Sequence, residues 1–293
     1  MTRNQLVTAI RSKGSYLCVG LDPDPEKLPR HLRDQFGGTV ADLDRANLAD
    51  LDRATLADLV FEFNRQIIDA TQEHCVAYKI NTAFYEALGA KGWEAMERTV
   101  NYIPATHFRI ADAKRGDIGN TSSQYARAFF EVMPFDAITV APYMGWDSVR
   151  PFLEYKDKWT IVLGLTSNPG AADFEGQRME RMERKEIHLY EQVLATAAAW
   201  GTPDNLMFVI GATQADSFER VRRLTPDHFY LVPGIGAQGG SLEEISKKAM
   251  NKDVGLLVNA SRAVIYASDG EDFAGAAGKA AAAYRSEMRA FLE

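Results

Sequence analysis

Eight short apolar segments, separated by longer stretches with helical periodicity or helix-starting residues, constrain the fold of this chain more than any other feature. This alternation predicts repeated βα units and a parallel sheet. Eight units in 293 residues favour a TIM (β/α)8 barrel over an open doubly wound sheet, although length alone would also suit two ordinary domains. The predicted strands are 16–21, 76–80, 107–113, 137–140, 160–165, 206–210, 229–232 and 254–258.

A single domain over residues 1–293 is predicted, with an extra helical insert at about residues 28–56, between the first strand and its helix. The insert contains two nearly identical octapeptides, ADLDRANL at 41–48 and ADLDRATL at 49–56. A repeat of eight residues advances about 80° beyond two full helical turns. The leucines would therefore wind around a helix instead of forming one stripe. A local duplication that lengthens a surface helix is the favoured interpretation, and a partner-binding role is the alternative.

Local signals predict two further helices. TSSQ at 121–124, after the third strand, has the pattern of a capping box, in which a threonine side chain accepts a hydrogen bond at the start of a helix. The alanine-rich segment 271–293 is composed of strong helix formers, so we expect it to close the chain as a helix.

Charge and composition narrow the class of protein. A net charge of -7 at pH 7 argues against a nucleic-acid partner, but one local basic cluster could still bind a small anion. No stretch approaches the roughly 18 apolar residues of a membrane span, and the N-terminus lacks an apolar export signal, so we expect a cytoplasmic protein. Cys18 and Cys75 lie in apolar runs typical of buried free thiols, and the scattered histidines predict no metal site.

Charged side chains occupy the predicted carboxyl ends of the second and third strands, where TIM barrels carry their active sites. Asp112 and Lys114 alternate along the third strand, so both are predicted to project to one side, and Asp117 follows Gly116 at the rim. Lys79 lies among apolar neighbours, where an unpaired ammonium is costly to desolvate, and Asp112 is its natural partner. A purely structural ion-pair network is the alternative to a catalytic array.

The loops after the seventh and eighth strands predict a phosphate site, which is their usual role in this fold. VPGIGAQGG at 232–240 is rich in glycine, so its backbone N–H groups can approach a phosphate closely, and Arg262 could add a bidentate contact. A simple tight loop is the alternative for the glycines. Asp22 emerges at the end of the first strand, although Asp-Pro by itself is more typical of a turn.

Taken together, these residues resemble the orotidine 5′-phosphate decarboxylase family, specifically its longer bacterial-type branch, over essentially the whole chain. The shared Asp-x-Lys-x-x-Asp core also occurs in sibling enzymes, so the full set of motifs is the more specific signal. The motifs are LDP at 21–23, YK at 78–79, ADAKRGDIGNT at 111–121, TVAPYMG at 139–145, LTSNPG at 165–170, VPGIGAQGG at 232–240 and Arg262.

The resemblance implies decarboxylation of orotidine 5′-phosphate to uridine 5′-phosphate, without a metal or organic cofactor. It implies a homodimer in which Asp117 and Thr121 serve the neighbouring active site. The implied catalytic residues are Lys79, Asp112, Lys114 and Asp117. The implied substrate contacts are Asp22 and Thr121 to the ribose, Ser167 and Pro233 near the base, and Gln238, Arg262 and the loop glycines Gly234, Gly236 and Gly239 to the phosphate.

Two other functions stay open at this point. One is a magnesium-dependent sugar-phosphate decarboxylase or aldolase of the same superfamily, which Lys79 argues against because a cation there opposes metal binding. The other is a non-catalytic phosphate-binding barrel, which the complete set of charged residues argues against. Residues 168–176, rich in glycine and alanine, are a candidate lid over the ligand, with an ordinary surface loop as the alternative.

Overall fold

Strands and helices alternate along the chain, and eight of the strands close into a parallel barrel. The structure is a computed structural model that describes residues 1–37, 53–180, 186–213, 217–235 and 240–293. Its strands are β1 (Leu17–Leu21), β2 (Ala77–Asn81), β3 (Phe108–Arg115), β4 (Ala137–Val140), β5 (Trp159–Leu165), β6 (Arg178–Glu180), β7 (Glu186–His188), β8 (Leu206–Ile210), β9 (Phe229–Pro233) and β10 (Leu256–Ala260).

The barrel has the strand order β1-β10-β9-β8-β5-β4-β3-β2, so the first and last strands meet. They pair in parallel, with Cys18 opposite Asn259. Each of the eight predicted strands overlaps a barrel strand, with bounds that differ by at most two residues, and the predicted TIM barrel is confirmed. The strands were predictable because most of their residues are buried on both faces, which produces continuous apolar runs.

Helices surround the barrel, and one of them differs from its predicted start. They are α1 (Arg3–Lys13), α2 (Arg30–Gly37), α3 (Arg53–Thr71), α4 (Ala83–Glu86), α5 (Ala90–Tyr102), α6 (Gly119–Arg127), α7 (Trp146–Leu153), α8 (Ala171–Phe174), α9 (Leu189–Ala198), α10 (Phe218–Leu224), α11 (Leu242–Ala249), α12 (Arg262–Ile265) and α13 (Phe273–Arg289). The closing helix predicted within 271–293 is confirmed as α13.

The capping box predicted at 121–124 is wrong. Helix α6 begins at Gly119, its N-cap is Ile118, and no side chain of the described residues caps it, so Thr121 lies inside the first turn. The reason is that the chain turns earlier than the capping pattern suggests. Gly119 has a φ of +53°, and the Asp117 carboxylate accepts a hydrogen bond from the Ile118 N–H at 2.7 Å.

Two segments add to the minimal barrel. In the insert, α2 precedes residues 38–52, which lie outside the described residues together with most of the octapeptide repeat, while the last four residues of the repeat begin α3. The second addition is an antiparallel hairpin of β6 and β7, with Met179 opposite Ile187. The sequence did not predict this hairpin.

The amino end of the barrel is closed by packing, so the open mouth lies at the carboxyl ends of the strands. Trp159 is fully buried and makes edge-on ring contacts with Phe108 and Phe229, at centroid distances of 6.0 and 6.2 Å. Its indole N–H donates to the Met1 carbonyl at 2.8 Å, which ties the segment before α1 to this end. Among the described helices, none is long and apolar enough to cross a membrane.

Candidate active site

Four charged side chains of alternating sign meet at the mouth of the barrel. The Lys79 ammonium on β2 lies 2.9 Å from Oδ2 of Asp112, and the Lys114 ammonium lies 2.6 Å from Oδ1 of the same carboxylate. On the other side, Lys79 Nζ is 3.5 Å from Oδ1 of Asp22, an ion pair in which that oxygen has no hydrogen bond to the described residues. The predicted pairing of Lys79 with Asp112 and the predicted placement of Lys114 beside Asp112 are therefore confirmed, whereas the contact of Lys79 with Asp22 was not predicted.

Mutual stabilisation keeps the inner members of this array ionised. The Lys79 side chain is only 5% exposed, and burial alone would lower its pKa, but the carboxylates of Asp112 and Asp22 outweigh burial and raise the pKa above its usual range. Burial alone would likewise raise the pKa of Asp112, but the two flanking ammonium groups hold it well below its usual range. Both groups therefore carry their charges at neutral pH.

Lys114 stands at an irregular point of β3. The register with β4 shifts between Ala111 and Arg115, and Lys114 has a φ of +47°, a left-handed conformation that side chains other than glycine rarely adopt. The Lys114 side chain is 51% exposed, whereas that of Asp112 is 13% exposed. The bulge therefore presents the outer ammonium of the array toward the open mouth.

Asp22 is fixed across the seam where β1 meets β10. Its Oδ2 accepts a hydrogen bond from the Ser261 hydroxyl, whose oxygen also lies 3.1 Å from the Gly20 carbonyl oxygen. A Cβ at position 20 would lie 2.2 Å from the Ser261 hydroxyl oxygen, so glycine is required there. Asp22 could be singled out from its strand end, whereas Ser261 gave no signal in the sequence except its place beside Arg262.

A cavity of about 530 Å³ opens in front of the array, within the size range of small-molecule sites. Its lining combines three charged side chains of the array with apolar and uncharged polar side chains. The lining residues are Lys79, Asp112, Lys114, Leu163, Thr166, Ser167, Asn168, Pro169, Val209, Thr213, Leu231 and Pro233. Ser167 and Pro233, two predicted substrate contacts, thus lie in the same cavity as three predicted catalytic residues.

Ser167 carries a buried hydroxyl that has no hydrogen-bond partner among the described residues. The residue before it, Thr166, is held by Glu175, which the sequence did not single out. Glu175 accepts from the Thr166 N–H at 2.7 Å and from the Thr166 hydroxyl at 2.9 Å. The carboxylate thereby ties the candidate lid, residues 168–176, to the end of β5. Buried polar groups are normally hydrogen-bonded, so a buried hydroxyl without a partner beside a cavity is suited to bind a ligand there.

The predicted phosphate side is only partly described. Gly234 follows β9 with a φ of +97°, and a Cβ at Gly240 would lie 2.4 Å from the Ala212 Cβ, so both positions require glycine. Arg262 begins α12, and its exposed side chain makes no hydrogen bond or ion pair with the described residues. The predicted contacts Gly236, Gln238 and Gly239 lie outside the described residues.

Asp117 and Thr121 do not line the cavity of their own chain. Thr121 is exposed on α6. Near them lies an exposed apolar face, formed by Ile118, Tyr143 and Met144 with 59%, 92% and 45% of their surfaces accessible. No cluster of three or more histidine, cysteine, aspartate or glutamate side chains suited to a metal ion occurs within the described ranges.

Comparison with known proteins gives one consistent result. The sequence profile of the orotidine 5′-phosphate decarboxylase / HUMPS family matches residues 15–277. The protein named orotidine 5′-phosphate decarboxylase from Flavobacterium johnsoniae is 51% identical over 296 aligned residues, which cover 100% of this chain and 99% of that protein. The protein of the same name from Christiangramia forsetii is 49% identical with the same coverage. The structure of Leishmania donovani OMP decarboxylase matches with a TM-score of 0.79 at 34% identity, covering 100% of this chain and 99% of that one.

Proposed function

Because this chain belongs to the orotidine 5′-phosphate decarboxylase / HUMPS family, we propose that its alternating lysine and aspartate array is the catalytic centre. The chain is an enzyme that converts orotidine 5′-phosphate into uridine 5′-phosphate and carbon dioxide, the closing step of pyrimidine nucleotide synthesis. The observation that carries the residue assignment is the ion-paired sequence Lys79–Asp112–Lys114 along one wall of the cavity.

The reaction explains why these residue types are suited to the site. When carbon dioxide leaves, the electron pair of the broken carbon–carbon bond stays on an sp² ring carbon that has no adjacent electron sink. The Lys114 ammonium reaches the cavity, so it can stabilise this carbanion and then donate a proton to the same carbon. Asp112 places a negative charge beside the departing carboxylate, and that repulsion disappears as neutral carbon dioxide forms.

Lys79 and Asp22 act as the fixed part of the array. Lys79 is nearly inaccessible and bridges two carboxylates. Its ammonium therefore keeps Asp112 ionised and stays paired with these carboxylates instead of with the carboxylate of the substrate. A network of this kind holds charges in one geometry more firmly than a single pair does. We assign Asp22, at the end of the array opposite Lys114, to the ribose.

Binding away from the ring supplies the remaining stabilisation. Rate enhancements of up to about 10¹⁷ correspond to about 23 kcal/mol, more than the array alone can provide. We assign Arg262, Gln238 and the loop glycines Gly234, Gly236 and Gly239 to the phosphate, and Ser167 with Pro233 to the base. Removing the phosphate from the substrate should then lower catalytic efficiency more than the loss of affinity alone explains.

We further propose a homodimer in which Asp117 and Thr121 complete the partner's active site. Both residues lie outside the cavity of their own chain, beside the exposed face of Ile118, Tyr143 and Met144. Apolar side chains exposed in this way are typical of protein interfaces. Mixed Lys114→Ala and Asp117→Ala proteins should regain activity, because one mixed site carries neither substitution. No recovery despite confirmed subunit exchange would contradict the shared site.

Turnover of orotidine 5′-phosphate by the purified protein, with and without a chelator, tests the catalytic proposal. We expect equal rates in both conditions, because we propose a reaction without metal or organic cofactor. Inactivation by the chelator would instead favour the magnesium-dependent enzyme, and no turnover at all would favour a non-catalytic barrel. Lys114→Ala should abolish turnover without unfolding the protein, whereas Lys279→Ala, an exposed lysine on α13, should leave it unchanged.

We also propose that residues 1–293 form a single domain in the cytoplasm. The two buried thiols, Cys18 and Cys75, fit a reducing compartment, and the first and last strands close one barrel. Limited proteolysis that released a stable fragment of half the chain would contradict the single domain.

A further inference from the structure

Thr139, a fully buried threonine on β4, occupies a gap in the barrel's hydrogen-bond ladder beside the array. Strands β3 and β4 pair at Ala111 with Ile138 and again at Arg115 with Val140. Between these pairs β3 has three residues and β4 has only Thr139. On its β4 side, the regular ladder therefore cannot serve the backbone of β3 from Asp112 to Lys114.

The Thr139 hydroxyl makes the missing connections. Its oxygen accepts from the Lys114 backbone N–H at 2.9 Å and donates to Oδ1 of Asp112 at 3.1 Å. The direction of the second bond follows from counting protons, because a carboxylate can only accept and a hydroxyl has one proton to give. The same carboxylate oxygen also receives the Lys114 ammonium at 2.6 Å.

We propose that Thr139 is a positioning residue that fixes the backbone of Lys114 and the carboxylate of Asp112 relative to each other. Lys114 is held in a left-handed conformation, which a lysine backbone leaves unless its surroundings hold it there. The bond to its N–H opposes that relaxation, and the bond to Asp112 fixes the carboxylate that pairs with its ammonium. The inference rests on the proposed catalytic role of the array.

A merely structural role for the Thr139 hydroxyl has different consequences. Filling space in the core would require only a side chain of the same shape, and valine would supply it. A positioning role requires the hydroxyl itself, and serine would supply it. Thr160 on neighbouring β5 provides a matched control, because it is also fully buried and its hydroxyl has no partner among the described residues.

The test compares Thr139→Val, Thr139→Ser and Thr160→Val by steady-state kinetics with orotidine 5′-phosphate. We expect Thr139→Val to lower kcat by roughly 100-fold, the effect of misplacing a catalytic group by about 1 Å, while KM changes less than about threefold. Thr139→Ser should restore most of kcat, and Thr160→Val should match the wild type. If valine does not fold, Thr139→Ala makes the same comparison.

Three results would overturn the proposal: a kcat of Thr139→Val close to that of the wild type, a serine variant as slow as the valine variant, or an equal loss in Thr160→Val. Amide hydrogen exchange at Lys114 gives a readout independent of turnover, and it should accelerate in Thr139→Val but not in Thr139→Ser. Inactivity of the wild-type protein would refute the proposed function instead, and the exchange measurement would still decide whether Thr139 holds this backbone.

Discussion

Replacing Lys79 by methionine isolates the stabilising role of one buried charge, because methionine has a similar length and no ammonium. Lys79 Nζ lies 2.9 Å from Asp112 and 3.5 Å from Asp22. At an effective dielectric constant of about 20, these contacts are worth roughly 6 and 5 kcal/mol of attraction, from which desolvation of the ammonium removes several kcal/mol. We expect the free energy of unfolding at pH 7 to fall by about 3–5 kcal/mol, since the largely buried Asp22 loses its counter-charge and Asp112 keeps only that of Lys114.

The sign of the pH dependence follows from the shifted pKa values of the wild type. The depressed pKa of Asp112 contributes stability above the unfolded value of about 3.9 that is lost as pH falls through the folded pKa. The raised pKa of Lys79 contributes stability below about 10.4 that is lost as pH rises through the folded pKa. Both contributions are present at pH 7. In Lys79→Met the carboxylates of Asp22 and Asp112 can bind protons more readily. The difference in unfolding free energy between this variant and the wild type should therefore shrink toward pH 4.

Urea unfolding followed by circular dichroism measures this difference. Lys91→Met is the matched control, because the ion pair of Lys91 with Glu94 is 2.7 Å long but both side chains are about half exposed, at 47% and 57%. Such surface pairs contribute about 0–1 kcal/mol, so this variant should be nearly neutral. The double variant Lys79→Met/Asp112→Asn should recover part of the lost stability. A deficit below about 1 kcal/mol for Lys79→Met would refute the calculation.

Three further predictions concern other buried groups. Burial lowers the pKa of His228 to about 4, so the wild-type melting temperature should fall as pH drops from about 6.5 toward 4, and His228→Leu should flatten that slope. Burial raises the pKa of Cys18 and Cys75, so Ellman's reagent should label them only after denaturation, and labelling of the native protein would contradict this. Glu175→Gln should raise KM about tenfold with a smaller change in kcat, because the Glu175 carboxylate holds the segment that carries Ser167. An unchanged KM would show that the position of this segment does not depend on the carboxylate.

The barrel and the centre of its site were predictable because their signals are local. Each barrel strand is an apolar run, and a lysine such as Lys79 inside one demands a nearby carboxylate. The β6–β7 hairpin gave no such signal, because its strands are three residues long and polar, and the described side chains of β7 are exposed or half-buried. Pairing between such strands depends on contacts that no periodicity encodes.

Thr139 and Ser261 were missed for a different reason. Each acts through the relation between two strands, Thr139 through the register shift against β3 and Ser261 through the seam with β1. A single strand's sequence does not reveal how it is offset from its neighbour. The error at Thr121 has the same origin, because the capping pattern was present but the turn after β3 placed the N-cap at Ile118, three residues earlier.

The seam between β1 and β10 also sets the order in which the site can be assembled. Asp22 and Ser261 are 239 positions apart, so their hydrogen bond cannot form until the ribosome has made nearly the whole chain. Lys79, Asp112 and Lys114 emerge much earlier, and bringing distant segments together carries a growing entropic cost. A nascent chain can thus hold Lys79, Asp112 and Lys114 before Asp22 is fixed beside them, and closure of the barrel is the step that joins Asp22 to Ser261.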